Sequence, residues 1–248
     1  MCIFAACMHD LSTPKRAPMN TARFLPAVAA VIWLTPLFLS GCQRELSSDV
    51  NQDKIYAEYE LFYNANEDIT YARAVFRFNE SKGQKLRLAD GSEVRFNGDL
   101  LTFKPALAYY EKSYPGQVMA GDFMWEDTNG KQYSNTISLP VIAFPAMSDT
   151  IPRNAPFELV WVGDSLLGND MVTIRATGAN ELDMVIVHQD LLHSNSIVIP
   201  MLQLQTLGQG SGLLKMTRTF SPQLIHKTSA GGTITGRYRP INKEVWFD

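Results

Sequence analysis

Thr70-Tyr71-Ala72-Arg73-Ala74-Val75-Phe76-Arg77-Phe78 is the stretch that decides the fold. Apolar side chains recur at every second position, while Tyr71, Arg73 and Arg77 fall between them. A period of two places successive side chains on opposite faces of extended backbone, so the stretch reads as a half-buried strand and not as a helix. Ala72, Ala74, Phe76 and Phe78 are the expected inward set. The same alternation recurs in both directions. Upstream, Tyr59, Leu61 and Tyr63 share a face; downstream, Met119, Phe123 and Trp125 do so. Farther on, the shared faces are Phe157, Leu159 and Trp161; Val172, Ile174 and Ala176; and Leu182, Met184 and Ile186. Leu214 and Met216 alternate with Lys215 and Thr217, and Ile234, Gly236 and Tyr238 with Arg237 and Arg239. Residues 196–200 form one more short strand, 201–207 a helical turn or slightly more, and no long amphipathic helix is expected.

Turn chemistry separates these runs. Asp90-Gly91, Asn97-Gly98 and Asn129-Gly130 each lie between alternating segments, and such pairs accept the positive φ angles that tight hairpins need. Pro140, Pro145, Pro152 and Pro156 then interrupt the pattern. Proline cannot donate to a sheet ladder, so this stretch is a connector or an edge. The expected architecture is all-β: two tandem antiparallel β-sandwiches at 54–144 and 156–248, joined by a proline-rich connector at 145–155. A single larger sandwich or barrel is the alternative. In strand length and spacing the modules resemble immunoglobulin-like and fibronectin-like domains, although the Cys–Trp–Cys pattern of antibody domains is absent.

The amino-terminal part has a different character. Residues 24–39 are uncharged and mostly apolar, with Arg23 just before them and Leu39-Ser40-Gly41-Cys42 at their end. The run is too short to span a bilayer, which takes about 20 residues. A basic start, a short apolar stretch and small residues ahead of a cut site describe a secretory signal peptide. Leu39-Ser40-Gly41-Cys42 resembles the lipobox of bacterial lipoproteins. That resemblance implies cleavage between Gly41 and Cys42, a diacylglyceryl group on the Cys42 sulfur and an acyl chain on the new amino terminus. Several chains would make membrane attachment stable, where one holds only marginally. The domain reading is then a signal peptide at 1–41 and a lipidated tether at 42–53. Translation is expected to start at Met19, because signal peptides run to roughly 15–30 residues. Gln43 follows Cys42; by the same resemblance, the absence of aspartate there favours the outer over the inner membrane.

This placement shapes the rest. Cys2 and Cys7 precede the cut and Cys42 carries lipid, so the body has no thiol for a disulfide, a metal or a nucleophile. Three of the 22 basic residues and one of the 25 acidic ones precede Cys42, which leaves the remainder with a net charge of −5. That balance argues against nucleic acid as a partner. The expected partners are the membrane, through the lipid, and an envelope protein or glycan; no cofactor and no metal are expected.

Eight of the nine tyrosines lie between Tyr56 and Tyr133. Exposed tyrosines suit binding faces, since they add area and a polar handle with little entropy cost. Tyr71, Arg73 and Tyr110 are one candidate patch. Arg237 and Arg239, on the same face of the last long alternation, are a second candidate, able to engage carboxylate or phosphate. His188 and His193 differ by an odd number and cannot share a strand face. Asp127, Asn129, Asp164, Asn169 and Asp170 suit loop tips without requiring an ion.

Gly163-Asp164-Ser165-Leu166 resembles the nucleophile block of GDSL esterases, and Asp190-Leu191-Leu192-His193 resembles their Asp-x-x-His block. The resemblance implies Ser165 as nucleophile, His193 as base and Asp190 as the group orienting it. The arrangement departs from that family, whose site is built on a doubly wound α/β sheet, because the residues between Ser165 and His193 read as strands. The leading expectation is a non-catalytic binding or scaffold lipoprotein, with the esterase as the alternative.

Overall fold

The computed structural model describes residues 45–180 and 182–248. Met19, Gly41 and Cys42 lie outside them, and with them the start, the cleavage and the lipidation expected from sequence. Among the described residues, no helix is long and apolar enough to cross a membrane.

Among the described residues, the regular secondary structure is nearly all strand. The first nine strands are β1 (Ile55–Asn64), β2 (Ile69–Phe78), β3 (Lys85–Leu86), β4 (Glu93–Phe96), β5 (Asp99–Leu100), β6 (Thr102–Lys104), β7 (Tyr109–Pro115), β8 (Ala120–Glu126) and β9 (Gln132–Ser138). After the proline-rich stretch come β10 (Thr150–Ile151), β11 (Phe157–Val160), β12 (Asp170–Thr177), β13 (Met184–Gln189) and β14 (Ser196–Ile199). A short α-helix, α1 (Met201–Gln205), precedes β15 (Gly210–Phe220), β16 (Gly232–Arg239) and β17 (Lys243–Phe247).

Two hydrophobic cores form. The first lies between a sheet ordered β16-β1-β2-β7-β6 and a second sheet ordered β5-β4-β8-β9. Tyr59, Leu61, Ala72, Ala74, Phe76, Phe96, Phe123 and Trp125 fill it, as their alternation predicts. The second core lies between β10-β17-β15-β12-β13 and the pair β11-β14, and is filled by Leu159, Trp161, Val172, Ile174, Leu214 and Met216 among others. Full burial of each such side chain contributes about 1.5–3 kcal/mol.

The two expected modules interleave. Phe220 ends a strand shared with the second core, yet the chain then crosses back, placing Leu224 and Ile234 in the first core. Three contacts of the buried Asn135 hold the crossing: its amide donates to the His226 carbonyl at 2.8 Å, and its oxygen accepts from the Ile225 and His226 N–H groups. The Thr228 hydroxyl donates to the Ile55 carbonyl at 2.7 Å. β16 then lies parallel to β1 in an eight-residue register from Ala57↔Gly232 to Asn64↔Arg239. β10 also pairs parallel, with β17. The sheets are therefore not purely antiparallel. β15 joins the two halves: its first half pairs with β17, its last three residues pair with β16, and β12 flanks it on the other side. The close approach has a cost in sequence freedom. A Cβ on Gly236 would sit 2.3 Å from the Ser138 carbonyl oxygen, so only glycine fits where β16 passes β9.

Three local expectations are corrected. Phe78 ends β2 and is 40 % exposed. In β13 the buried residue is Val185, while Leu182, Met184 and Ile186 point outward; both faces of this segment are apolar, so alternation alone does not choose between them. Asn97-Gly98 closes the β4–β5 hairpin with positive φ at both residues, but at Asp90-Gly91 and Asn129-Gly130 only the glycine is positive.

Candidate binding face

The outward side chains of β16, β1, β2 and β7 form one surface. In strand register, Glu60 lies opposite Arg73, Phe62 opposite Tyr71, and Phe62 beside Arg237. Residues opposed across neighbouring strands share a face. The two candidate sets read from sequence, Tyr71–Arg73 and Arg237–Arg239, therefore meet on one surface, which the parallel pairing of β16 with β1 makes possible.

Phe62 is the centre. Its ring stacks with Tyr71 at a centroid distance of 6.1 Å. The guanidinium carbons of Arg237, Arg239 and Arg73 lie 4.9, 5.3 and 5.9 Å from its centroid. Arg73 also lies 4.5 Å from the Tyr71 ring and 5.7 Å from Tyr109. Each such contact is worth about 0.5–1 kcal/mol at an exposed site and more where water is excluded.

Carboxylates hold the cations in place. Glu60 bridges Arg73 at 3.2 Å and Arg237 at 2.7 Å, and Arg73 donates its Nε to Glu111 at 2.8 Å. Burial alone would pull the Arg73 guanidinium down, but the hydrogen bonds and charges of Glu111 and Glu60 outweigh it and raise its pKa. The Tyr71 hydroxyl donates to Glu67 at 2.7 Å, and this bond, with burial behind it, raises the phenol. Burial and then the Glu111 charge raise Tyr109. Arg239 differs from its neighbours. Among the described residues it has no ion pair and its Nε is buried without a partner, and burial followed by the Arg237 charge lowers its pKa. Alongside this platform runs a shallow groove of ≈ 290 Å³, lined by Glu58, Glu60, Arg73, Tyr109, Thr233 and Thr235.

Tyr110 does not belong to this face. It is 8 % exposed in the first core, and its hydroxyl accepts the Leu88 N–H at 2.7 Å. Tyr110 pairs with Ala74, so the inward reading of Ala74 also fixes Tyr110 as inward and leaves Tyr109 to the outer surface. Phe62, Glu60 and Glu111 were missed by sequence reasoning. The available signal was an aromatic at an outward position of β1, in phase with Glu58 and Glu60.

The esterase residues meet only through backbone. The Leu166 N–H donates to the Ser194 carbonyl and the His193 N–H to the Leu166 carbonyl, both at 2.8 Å, which brings the two loops together. No hydrogen bond joins the side chains of Ser165, His193 and Asp190 among the described residues. The Ser165 loop is instead clamped from inside. Arg218, 4 % exposed, donates to the Asp164 and Ser165 carbonyls at 2.8 and 3.2 Å and to the buried Asp170 carboxylate at 2.7 Å. His188 meets the Thr173 hydroxyl through Nδ1 at 2.9 Å. Asp127 accepts the N–H groups of Asn129 and Lys131 in a tight turn. No group of three or more potential metal ligands occurs among the described residues.

No protein-family model matches the sequence, and no curated protein matches it. Among solved structures, the chain is similar to one described as giving insight into host cell surface retention of a 1.5-MDa bacterial ice-binding adhesin, with 13% identity and a TM-score of 0.23. That match covers 80% of this chain and 66% of the other. It is also similar to the FN1–FN3 domains of chicken CNTN1, with 9% identity, a TM-score of 0.22, and coverage of 74% and 65%. The chain thus spans just under two thirds of each of these structures, and TM-scores of this size carry no weight for function.

Proposed function

We propose that this chain is a non-catalytic binding or scaffold lipoprotein of the bacterial envelope, anchored through lipid on Cys42 and engaging its partner with the outer face of β16, β1, β2 and β7. One observation carries the binding reading: Arg73, Arg237 and Arg239 converge on Phe62, which stacks on Tyr71, although they come from distant parts of the chain. Aromatic and arginine side chains gathered on one surface are the composition of binding hot spots. The Glu60 and Glu111 carboxylates hold Arg73 and Arg237 in place and so lower the ordering cost of binding.

Two measurements test this reading. Cys42→Ser should release the protein from the membrane fraction and abolish incorporation of a fatty-acid label. A photo-crosslinking residue at Tyr71 should give a discrete adduct in intact cells that is lost in Arg237→Ala/Arg239→Ala, while the same residue at exposed Lys82 should give none. Adducts that persist in the double variant would remove this face from the reading. A chromogenic ester turned over by the unaltered protein and not by Ser165→Ala would replace the whole reading with the esterase.

A further inference from the structure

A second constellation lies on the outward side of β12, β15 and β17. Arg175 of β12 stands directly opposite Lys215 of β15. Like charges in directly opposed positions repel and cost stability. Neither cation has an acidic partner within ion-pair distance among the described residues. Arg175 also presses down the pKa of Arg239, so cations gather along this side, and Glu244 is the acidic residue in the groove lining among the described residues. This happens in a chain whose formal net charge is −3.

The neighbouring rows supply different chemistry on the same side. Thr177 lies opposite Leu213, and Leu213 opposite Glu244. Ser211 lies opposite Trp246, whose residue surface is 51 % exposed. Arg175, Lys215, Thr177, Ser211 and Glu244 line a groove of ≈ 630 Å³, and Trp246 stands at its end through its pairing with Ser211.

Each part narrows the ligand. Two cations with no ion pair among the described residues call for an anion. Hydroxyls and a lone carboxylate are suited to groups that both donate and accept hydrogen bonds. An exposed indole offers a flat apolar surface with a polar edge, which matches the C–H face of a sugar ring. We propose that this groove binds an acidic oligosaccharide, with a sugar carboxylate between Arg175 and Lys215, ring hydroxyls on Thr177, Ser211 and Glu244, and a second ring against Trp246. The four residue steps from Lys215 to Ser211 span about 13 Å of strand, longer than one ring, so the ligand is an oligomer. The site shares no residue with the Phe62 platform, and either can fail without the other.

The test titrates the whole chain in detergent micelles with tetragalacturonate, with a neutral galactose tetramer and with a poly-glutamate peptide of equal charge, following tryptophan fluorescence. Saturable quenching is expected with tetragalacturonate alone, absent in Trp246→Phe and at least tenfold weaker in Arg175→Ala/Lys215→Ala. That double variant should fold normally, with an unfolding midpoint unchanged or raised, because it removes a repulsive pair. Binding should also survive Arg237→Ala/Arg239→Ala, which separates this site from the platform. The proposal is overturned by equal binding of the neutral tetramer or the peptide, by undiminished binding in the double variant, or by no saturable binding.

Discussion

The two cores are built from different materials. The first is a run of rings: Tyr59 stacks on Phe123 at 5.1 Å, Phe123 meets Phe96 at 4.8 Å, Phe76 meets Trp125 at 5.1 Å, and Trp125 stacks on Tyr133 at 4.7 Å. The second is mainly aliphatic, with Ile142, Ile151, Val172, Ile174, Leu204 and Leu214. Charge is placed differently: the aliphatic half has an exposed pair, Lys243–Asp149, and a buried one as well. The ring-filled half wears its ion pairs outside, in the Glu60–Arg73–Glu111 and Glu60–Arg237 network. The aliphatic half buries one, Arg218–Asp170, with side chains 5 and 3 % exposed. An outer network in water contributes little to stability and is free to serve recognition. A buried pair must keep its geometry, because each charge depends on the other. The first half thus keeps its adaptable chemistry on the surface, and the second uses its charge to fix a loop.

The sharpest test of that contrast is Arg218→Ala. It leaves Asp170 buried without a counter-charge and takes the donors from the Asp164 and Ser165 carbonyls. Urea unfolding should show a loss of about 3–5 kcal/mol, and the paired apolar change Arg218→Met/Asp170→Leu should restore much of it. If Arg218→Ala costs no more than a surface change, the clamp is not structural.

Alkali should act on the other half. Burial, with the Asp68 hydrogen bond, raises Tyr63 from the ordinary 10.0 to about 12, and burial also raises Tyr59, Tyr110 and Tyr114. A phenol whose folded pKa is raised stabilises the fold fully below the unfolded value and loses that contribution as pH climbs to the folded one. Stability should therefore hold to about pH 10 and drain toward pH 12. In NMR spectra at rising pH, the signals of Phe123 should disappear before those of Ile174; the reverse order would contradict the assignment.

Gly236→Val probes the seam where the halves interleave. Overpacking against the Ser138 carbonyl should cost about 1–3 kcal/mol. It should weaken amide protection in β1 and β16 more than in β12, as read by hydrogen exchange. The smallest effect, a gain, is expected from Tyr59→Phe. The Tyr59 hydroxyl is buried with no partner, so removing it should stabilise the first core by about 1 kcal/mol in urea unfolding.

Much of this was legible in sequence. Alternation placed Ala72, Ala74 and Phe76, then Val172, Ile174 and Ala176, and then Leu214 and Met216 inside. It also held a signal for the buried pair, since Arg218 is in phase with Leu214 and Met216. The neighbour of each strand was not legible. Period two says which face is covered, not which strand lies alongside, so nothing local marked β16 as the partner of β1. The candidate face suffered most from this, because its arginines come from both ends of the described chain. The placing of Tyr110 in the outer patch failed for a related reason: Tyr109 and Tyr110 must split between faces, and only the pairing with Ala74 decides which goes inward.

The parallel pairing of β1 with β16 also has a consequence in time. Glu60 and Arg237 are 177 positions apart, so the first sheet cannot close until nearly all of the chain is available. Contacts of such long range form slowly, because loop closure precedes any gain from them. Until then the flank of β1 is an open edge with free N–H and C=O groups, able to pair with any other strand. The amino-terminal half must wait for the carboxy-terminal half before this sheet can close. A chain stopped before Gly232 would carry that open edge permanently.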